Sequence, residues 1–246
     1  MMRDVHKFFA MLLVAAFSLM SMVSCQHEAK ATRVLDIPGG RFQVGGLPDE
    51  KGLHPVREME LKSFFIEMTE VTNAQYRRCV KAKKCVDRGD NLPTVFGDPQ
   101  QPVVMVTQQD AADYCAWVGR RLPTQWEWER AARGPEGFTF PYGNEFSADG
   151  ANTAYAPLTK TNRGVFRFTA PVGAFEKDRS GFGVLDMGGN VAEWTSSAIG
   201  GGEVVVRGGH WYAERGQSVA YYREFVLTGN LMSHTIGFRC AKSEIP

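Results

Sequence analysis

Few residues of this 246-residue chain can carry redox or metal chemistry, because it holds only five cysteines and five histidines. The histidines are His6, His27, His54, His210 and His234, and no two stand at the H-x-x-x-H spacing that places both on one helix face. Nor does a two-histidine, one-carboxylate spacing occur, so a metal or redox centre would have to be built on His210 and His234. Among the cysteines, the pair Cys79-x5-Cys85 admits a metal site or a short disulfide. Without a neighbouring His or further Cys, the local disulfide is expected. Gly200-Gly201-Gly202 lacks the lysine of a phosphate loop and reads as a turn. No Ser-His-Asp or pyridoxal signature stands out.

Arg3 and Lys7 precede the uncharged apolar run from Phe8 to Met22, which has the length of a secretory h-region rather than of a membrane span. Residues 1–24 therefore read as a signal peptide. Met22-Val23-Ser24-Cys25 matches loosely the pattern in which a small residue precedes a lipidated cysteine, so Cys25 is expected to anchor the chain, with residues 25–35 as lipidated N-terminus and tether. Loss of Arg3, Asp4 and Lys7 leaves 26 basic and 26 acidic side chains, and no electrostatic footprint for nucleic acid. Lys81, Lys83 and Lys84 form the one basic cluster and read as a solvated helix end. With Cys25 assigned to lipid, Cys79, Cys85, Cys115 and Cys240 remain, an even number in an exported protein, and sequence alone permits three pairings.

The elements that must position these residues form one domain, 36–246, without internal repeats. Ile37–Gly46 reads as a strand and turn, and 56–61 and 64–66 as strands. Thr72 with Gln75 is a capping box opening a helix through Cys79. Ala111, Tyr114, Cys115 and Val118 give a second helix, after Thr107, an apolar stripe. Thr124 with Glu127 caps a third that stops at Gly134. Beyond it, periodicity fades into Gly, Pro, Asn and aromatic residues, with short strands expected at 204–207 and 235–240. Such irregular backbone must satisfy its buried amides and carbonyls through side chains, ions or water.

Four motifs stand in fixed order: Arg121-Leu122-Pro123-Thr124-Gln125-Trp126-Glu127-Trp128-Glu129, Gly188-Gly189-Asn190-Val191-Ala192-Glu193-Trp194, Arg207-Gly208-Gly209-His210-Trp211 and Gly237-Phe238-Arg239-Cys240. Together they resemble the formylglycine-generating enzyme, or sulfatase-modifying factor, family over roughly residues 36 to 242. The resemblance implies an α+β fold of C-type-lectin-like type, poor in regular structure. It also implies a disulfide between Cys115 and Cys240, which leaves Cys79 to Cys85.

In the characterised enzymes two thiolates after the Arg-Gly-Gly motif bind Cu(I), which activates O2 to oxidise a substrate cysteine. Soft Cu(I) needs thiolate sulfur. Here the two positions are Ala213 and Ser218, and no cysteine occurs between Cys115 and Cys240 to replace them. His210 and Ala192 likewise depart from the usual Ser and Trp. Copper is thus not expected, and relatives with three-histidine iron draw their ligands from a helical domain that this chain lacks.

The resemblance further implies a structural Ca2+ held by Asp186, Gly189, Val191 and Glu193, hard oxygen ligands spread over eight residues. A second site would use Asn152, but Asn162, Arg163 and Gly164 stand where an Asp is expected. His210, Trp211, Tyr212, Arg215, Tyr221 and Arg223 occupy the family's active-site face, which relatives such as variable surface lipoproteins use to bind ligands. The expectation is a non-catalytic, calcium-stabilised recognition module on the bacterial cell envelope, in the periplasm or on the outer membrane, for a peptide, glycan or protein. The alternative is an oxidoreductase of the sulfatase-modifying type with an unrecognised metal centre.

Overall fold

The computed structural model describes residues 32–46, 55–88, 93–156, 167–226 and 228–244. All belong to the second of two compact units into which the chain divides, Thr32–Pro246. The signal peptide, Cys25 and the positions around Arg163 lie outside the described residues. The domain begins earlier than expected. Strand β1 (Val34–Ile37) starts inside the stretch read as tether, pairing Val34 with Glu67, and Thr32 Oγ1 accepts from Gln75 Nε2 at 2.8 Å.

Nine strands and three α-helices follow one another among the described residues. The expected opening strand is broken in two, β1 and β2 (Gly40–Val44), at Pro38-Gly39. Pro38 cannot donate to a ladder, and a side chain at Gly39 would lie 2.6 Å from the Ser63 amide. β2 pairs with β3 (Arg57–Leu61) alone, whereas β1, β4 (Phe64–Glu67) and β9 (Ala241–Ser243) form an antiparallel sheet with β4 central.

Helices α1 (Asn73–Lys81), α2 (Gln108–Trp117) and α3 (Gln125–Arg133) each start at a capping box, made by Thr72 with Gln75, Thr107 with Asp110 and Thr124 with Glu127. In each, the threonine hydroxyl accepts one orphan amide while the third residue's side chain returns to the cap amide. α3 ends at Gly134, whose φ of 68° suits a residue without Cβ.

The third sheet holds the motifs. Its order is β7 (Arg223–Val226), β6 (Glu203–Arg207), β5 (Ala192–Ile199) and β8 (Ile236–Gly237), with β5 and β8 parallel. β5 is the longest strand described, and nothing in its alternation announced it. The strand expected over 235–240 splits: Ile236–Gly237 joins β5, and the chain then crosses to the other sheet, where the Cys240 carbonyl accepts from Glu67 N. One core packs α1 and α2 against β5, β6 and β8 around Trp194, Tyr114 and Phe238; another packs α3 against β1 and β4 around Trp128, Phe64 and Ile66. The disulfides are Cys79–Cys85 and Cys115–Cys240, as expected.

Candidate functional site

Strand β5 brings three of the motifs side by side. Glu193 stands opposite Arg207 of β6 on one edge and Gly237 of β8 on the other. Its side chain, fully buried, accepts from Arg239 Nε (2.9 and 2.8 Å), from Arg239 Nη2 (2.7 Å) and from Trp128 Nε1 (2.8 Å). Arg239 spends its remaining donors on the carbonyls of Glu67, Met68 and Leu185. Burial alone would lower the pKa of Arg239, but Glu193 raises it, so the guanidinium stays charged. The upstream motif is used in the same structural way. Glu127 caps α3 and takes a two-pronged bond from Arg121, while Glu129 accepts from the buried Arg207 at 2.8 Å and from Gly45 N at 2.6 Å. The glycines after Arg207 are forced by contact: a Cβ on Gly208 would meet the Trp128 ring at 2.8 Å, and one on Gly209 the Gly188 carbonyl at 2.4 Å.

In this arrangement Glu193, expected among the calcium ligands, is bonded throughout to protein groups. Both carboxylate oxygens of Glu193 are occupied by a guanidinium and an indole, so Glu193 is an ion-pair partner buried in a sheet. Carboxyl groups nevertheless remain crowded next to it. Glu70, Asp178 and Asp186 are all buried. Burial, then the charge of Asp186, pushes Glu70 and Asp178 well above the usual carboxylate range, and burial raises Asp186. Asp186 accepts from Gly173 N at 2.5 Å, and Asp178 from Gly188 N at 3.1 and 3.0 Å. Glu70 Oε1 accepts from Asn190 Nδ2 at 3.0 Å, whereas Oε2 makes no hydrogen bond of standard geometry.

Glu70 and Asp186 also bond to each other side chain to side chain, so a shared proton answers this crowding as a hard cation would. Among the described residues no three His, Cys, Asp or Glu side chains surround a common point. A calcium ion beside Asp186 would therefore have to take main-chain oxygens, expected from Gly189 and Val191, in its ligand set. Asn152, expected of a second calcium site, is oriented as a donor: its Nδ2 serves the Phe168 carbonyl (2.9 Å) and Asn190 Oδ1 (3.1 Å).

The two positions expected of redox cysteines are closed. Ala213 and Ser218 are each 0% exposed. Ala213 N donates to the His210 carbonyl at 2.7 Å and its carbonyl accepts from Ala154 N; Ser218 N donates to the Arg215 carbonyl. Neither side chain offers a soft donor.

Beside them runs an aromatic face. The Trp211 ring packs on Phe96, Phe168 and Tyr212 at centroid separations of 6.0, 5.1 and 5.8 Å, and Phe96 stacks on His234 at 4.8 Å. Trp211 Nε1 donates to the His234 carbonyl at 3.1 Å, which fixes the indole. Tyr212 is 67% exposed, and Phe168 and Tyr155 about two-fifths exposed at 39% and 41%. Tyr155 OH donates to Glu214 at 2.6 Å, and Arg215 lies over Phe146 at 5.4 Å. His210 Nδ1 accepts from Tyr212 N, and burial lowers the pKa of His210 to about 4, leaving the ring neutral.

The matching family model is described as sulfatase-modifying factor enzyme 1-like domain and covers residues 20–244. The chain belongs to this family. It is 33% identical to the mouse protein named inactive C-alpha-formylglycine-generating enzyme 2, with 92% of each chain aligned. It is 32% identical to the formylglycine-generating enzyme of Mycobacterium tuberculosis over 68% of this chain and 74% of the other. Of solved structures, PvdO from Pseudomonas aeruginosa matches with a TM-score of 0.71 and 28% identity, over 87% of this chain and 95% of the other.

In this member of the sulfatase-modifying factor family the motifs serve as scaffold, since Trp128, Glu129, Glu193, Arg207 and Arg239 bond to one another or to backbone and Glu127 to Arg121 and its own helix cap. Of the expected face, the His210, Trp211 and Tyr212 rings pack together, whereas Arg215 lies over Phe146. Tyr221 and Arg223 are engaged elsewhere: Arg133 stacks on the Tyr221 ring at 5.2 Å, and Arg223 stands across from Arg207 in the β6–β7 ladder. Phe96 and Phe168, which complete the Trp211 cluster, come from separate segments, and Phe146 and Tyr155 form a second cluster with Arg215 and Glu214. Their one signal in the sequence was the aromatic richness of irregular segments.

Proposed function

We propose that this domain is a non-catalytic recognition or accessory module of the sulfatase-modifying factor fold, held at the cell envelope through lipid on Cys25. The observation that carries the reading is the burial of Ala213 and Ser218 where two copper-binding thiolates would stand, with Cys115 and Cys240 locked in a disulfide. Similarity to a relative named inactive supports it. The comparable identity to a relative named formylglycine-generating enzyme keeps the oxidoreductase as the second reading.

The ligand, a peptide, glycan or protein segment, lies across Trp211, Tyr212 and Phe168, with Arg215 and Glu214 offering charge at one margin. Rigid aromatics supply contact area at small entropic cost, and charged groups at the rim supply orientation. A structural Ca2+ beside Asp186 and Glu70 stiffens the loop behind this face by neutralising buried carboxylates. The test is binding on peptide and glycan arrays by the parent and by Tyr212→Ala, Trp211→Ala and Arg215→Ala, each checked for folding. Loss of a parental ligand in folded variants supports the face; retention in all three overturns it.

A further inference from the structure

A cavity of about 340 Å3 lies between α1 and the segment 103–106, outside the aromatic face. Tyr76, Val80, Val103, Val104 and Val106 give it an apolar wall, and Arg77 stands at its rim. The polar groups around it are largely spoken for. Tyr76 OH donates to the Val86 carbonyl at 3.0 Å, Asn73 Nδ2 donates to the Phe96 and Asp98 carbonyls, and Arg88 is bound through Nε and Nη2 to Asp110. Asp87, also at the rim, has a partner of its own. Arg77 differs. Its Nη2 donates to the Gly97 carbonyl at 2.7 Å, which aims the guanidinium but uses one of its five N–H donors, and it is exposed. Lys81, one helical turn on, adds positive charge on the same side of α1.

We propose that this cavity binds a small amphiphilic carboxylate, its aliphatic body against the valines and Tyr76 and its anionic head on Arg77. The volume falls in the range of small-molecule pockets, whose walls are apolar and whose few polar groups fix orientation. An arginine fork is the side chain best matched to a carboxylate. The bonds already made by Tyr76, Asn73 and Arg88 leave the ligand few polar demands, so specificity is for charge sign and chain length. This site shares Val104 with the core under Phe96 and Trp211 but uses none of the exposed aromatics of the face assigned above.

The test titrates octanoate, octanol and octylamine into the full chain, read by calorimetry and by the shift in Tm. Octanoate should bind and raise Tm, and octylamine should not. Arg77→Gln should weaken octanoate about tenfold, to the level of octanol. Val80→Trp, which fills the cavity from a partly exposed position, should abolish binding of both while leaving the parental circular dichroism spectrum. The proposal is overturned if octanoate fails to bind at millimolar concentration, if octylamine binds equally well, or if a folded Val80→Trp protein binds octanoate as the parent does.

Discussion

Removing the guanidinium of Arg239 breaks one of the two fully buried ion pairs described in this domain. Arg239→Met leaves the Glu193 carboxylate fully buried with Trp128 Nε1 as its remaining donor, and it strips a donor from the carbonyls of Glu67, Met68 and Leu185. Breaking a buried pair by deleting one partner costs about 3–5 kcal/mol, because the surviving charge has lost both water and counter-ion. The three carbonyls push the value to the upper end. At 2–4 °C per kcal/mol for a domain of this size, Tm should fall by roughly 6–20 °C. Thermal and urea unfolding of the oxidised protein measure it, with Glu193→Gln and the double variant completing a cycle. Glu193→Gln removes the buried charge, so the double variant should be more stable than the two single losses added together. A Tm drop below about 2 °C in Arg239→Met, or additive effects across the cycle, would refute the pairing of these two residues.

Other consequences can be measured with the same preparation. The two disulfides close loops of very different length, with sequence separations of 6 and 125, so the chain-entropy relation gives about 2 kcal/mol for Cys79–Cys85 and about 5 kcal/mol for Cys115–Cys240. Paired Cys→Ser variants should rank in that order by urea midpoint, and a larger loss at Cys79–Cys85 would contradict the loop-closure account. His210 has its pKa depressed from 6.5 to about 4 by burial, so the unfolded chain takes up its proton first as pH falls. The resulting stability is present above about pH 6.5 and is lost towards pH 4. His210→Gln should remove this part of the acid loss, whereas parallel Tm–pH curves for parent and variant would rule it out. Chelation should lower the Tm of the parent, and Asp186→Asn should abolish that effect through loss of the ion's carboxylate. An unchanged Tm on chelation would mean that protonated carboxyls, rather than Ca2+, neutralise Glu70 and Asp186.

The helices were legible because each announces its start locally: Thr72, Thr107 and Thr124 precede their apolar stripes, and Gly134 closes α3. Cys115–Cys240 was legible through family resemblance alone, since nothing local links residues 125 positions apart. Glu193 shows the limit. Read along the chain it is a carboxylate seven residues after Asp186, in a glycine-rich loop. In the fold it sits in β5, and its partner Arg239 arrives through the parallel β5–β8 pairing, which no local pattern encodes. The aromatic face has the same character. Trp211 and Tyr212 stood out beside Arg207-Gly208-Gly209, but Phe96 and Phe168 join them across loops with no periodicity to read. Tyr221 and Arg223, near in sequence, are drawn off by Arg133 and by the β6–β7 ladder.

Whether the domain has given up the family's oxidative chemistry is decided most directly by turnover. The full chain, with both disulfides intact, is incubated with Cu(I), O2, reductant and a Cys-x-Pro-x-Arg peptide, and mass spectrometry follows conversion of the peptide cysteine to formylglycine. With Ala213 and Ser218 in the thiolate positions, the account predicts no conversion above a control without protein. Formylglycine formed above that control by the folded protein would contradict it and restore the domain to the enzymes of its family.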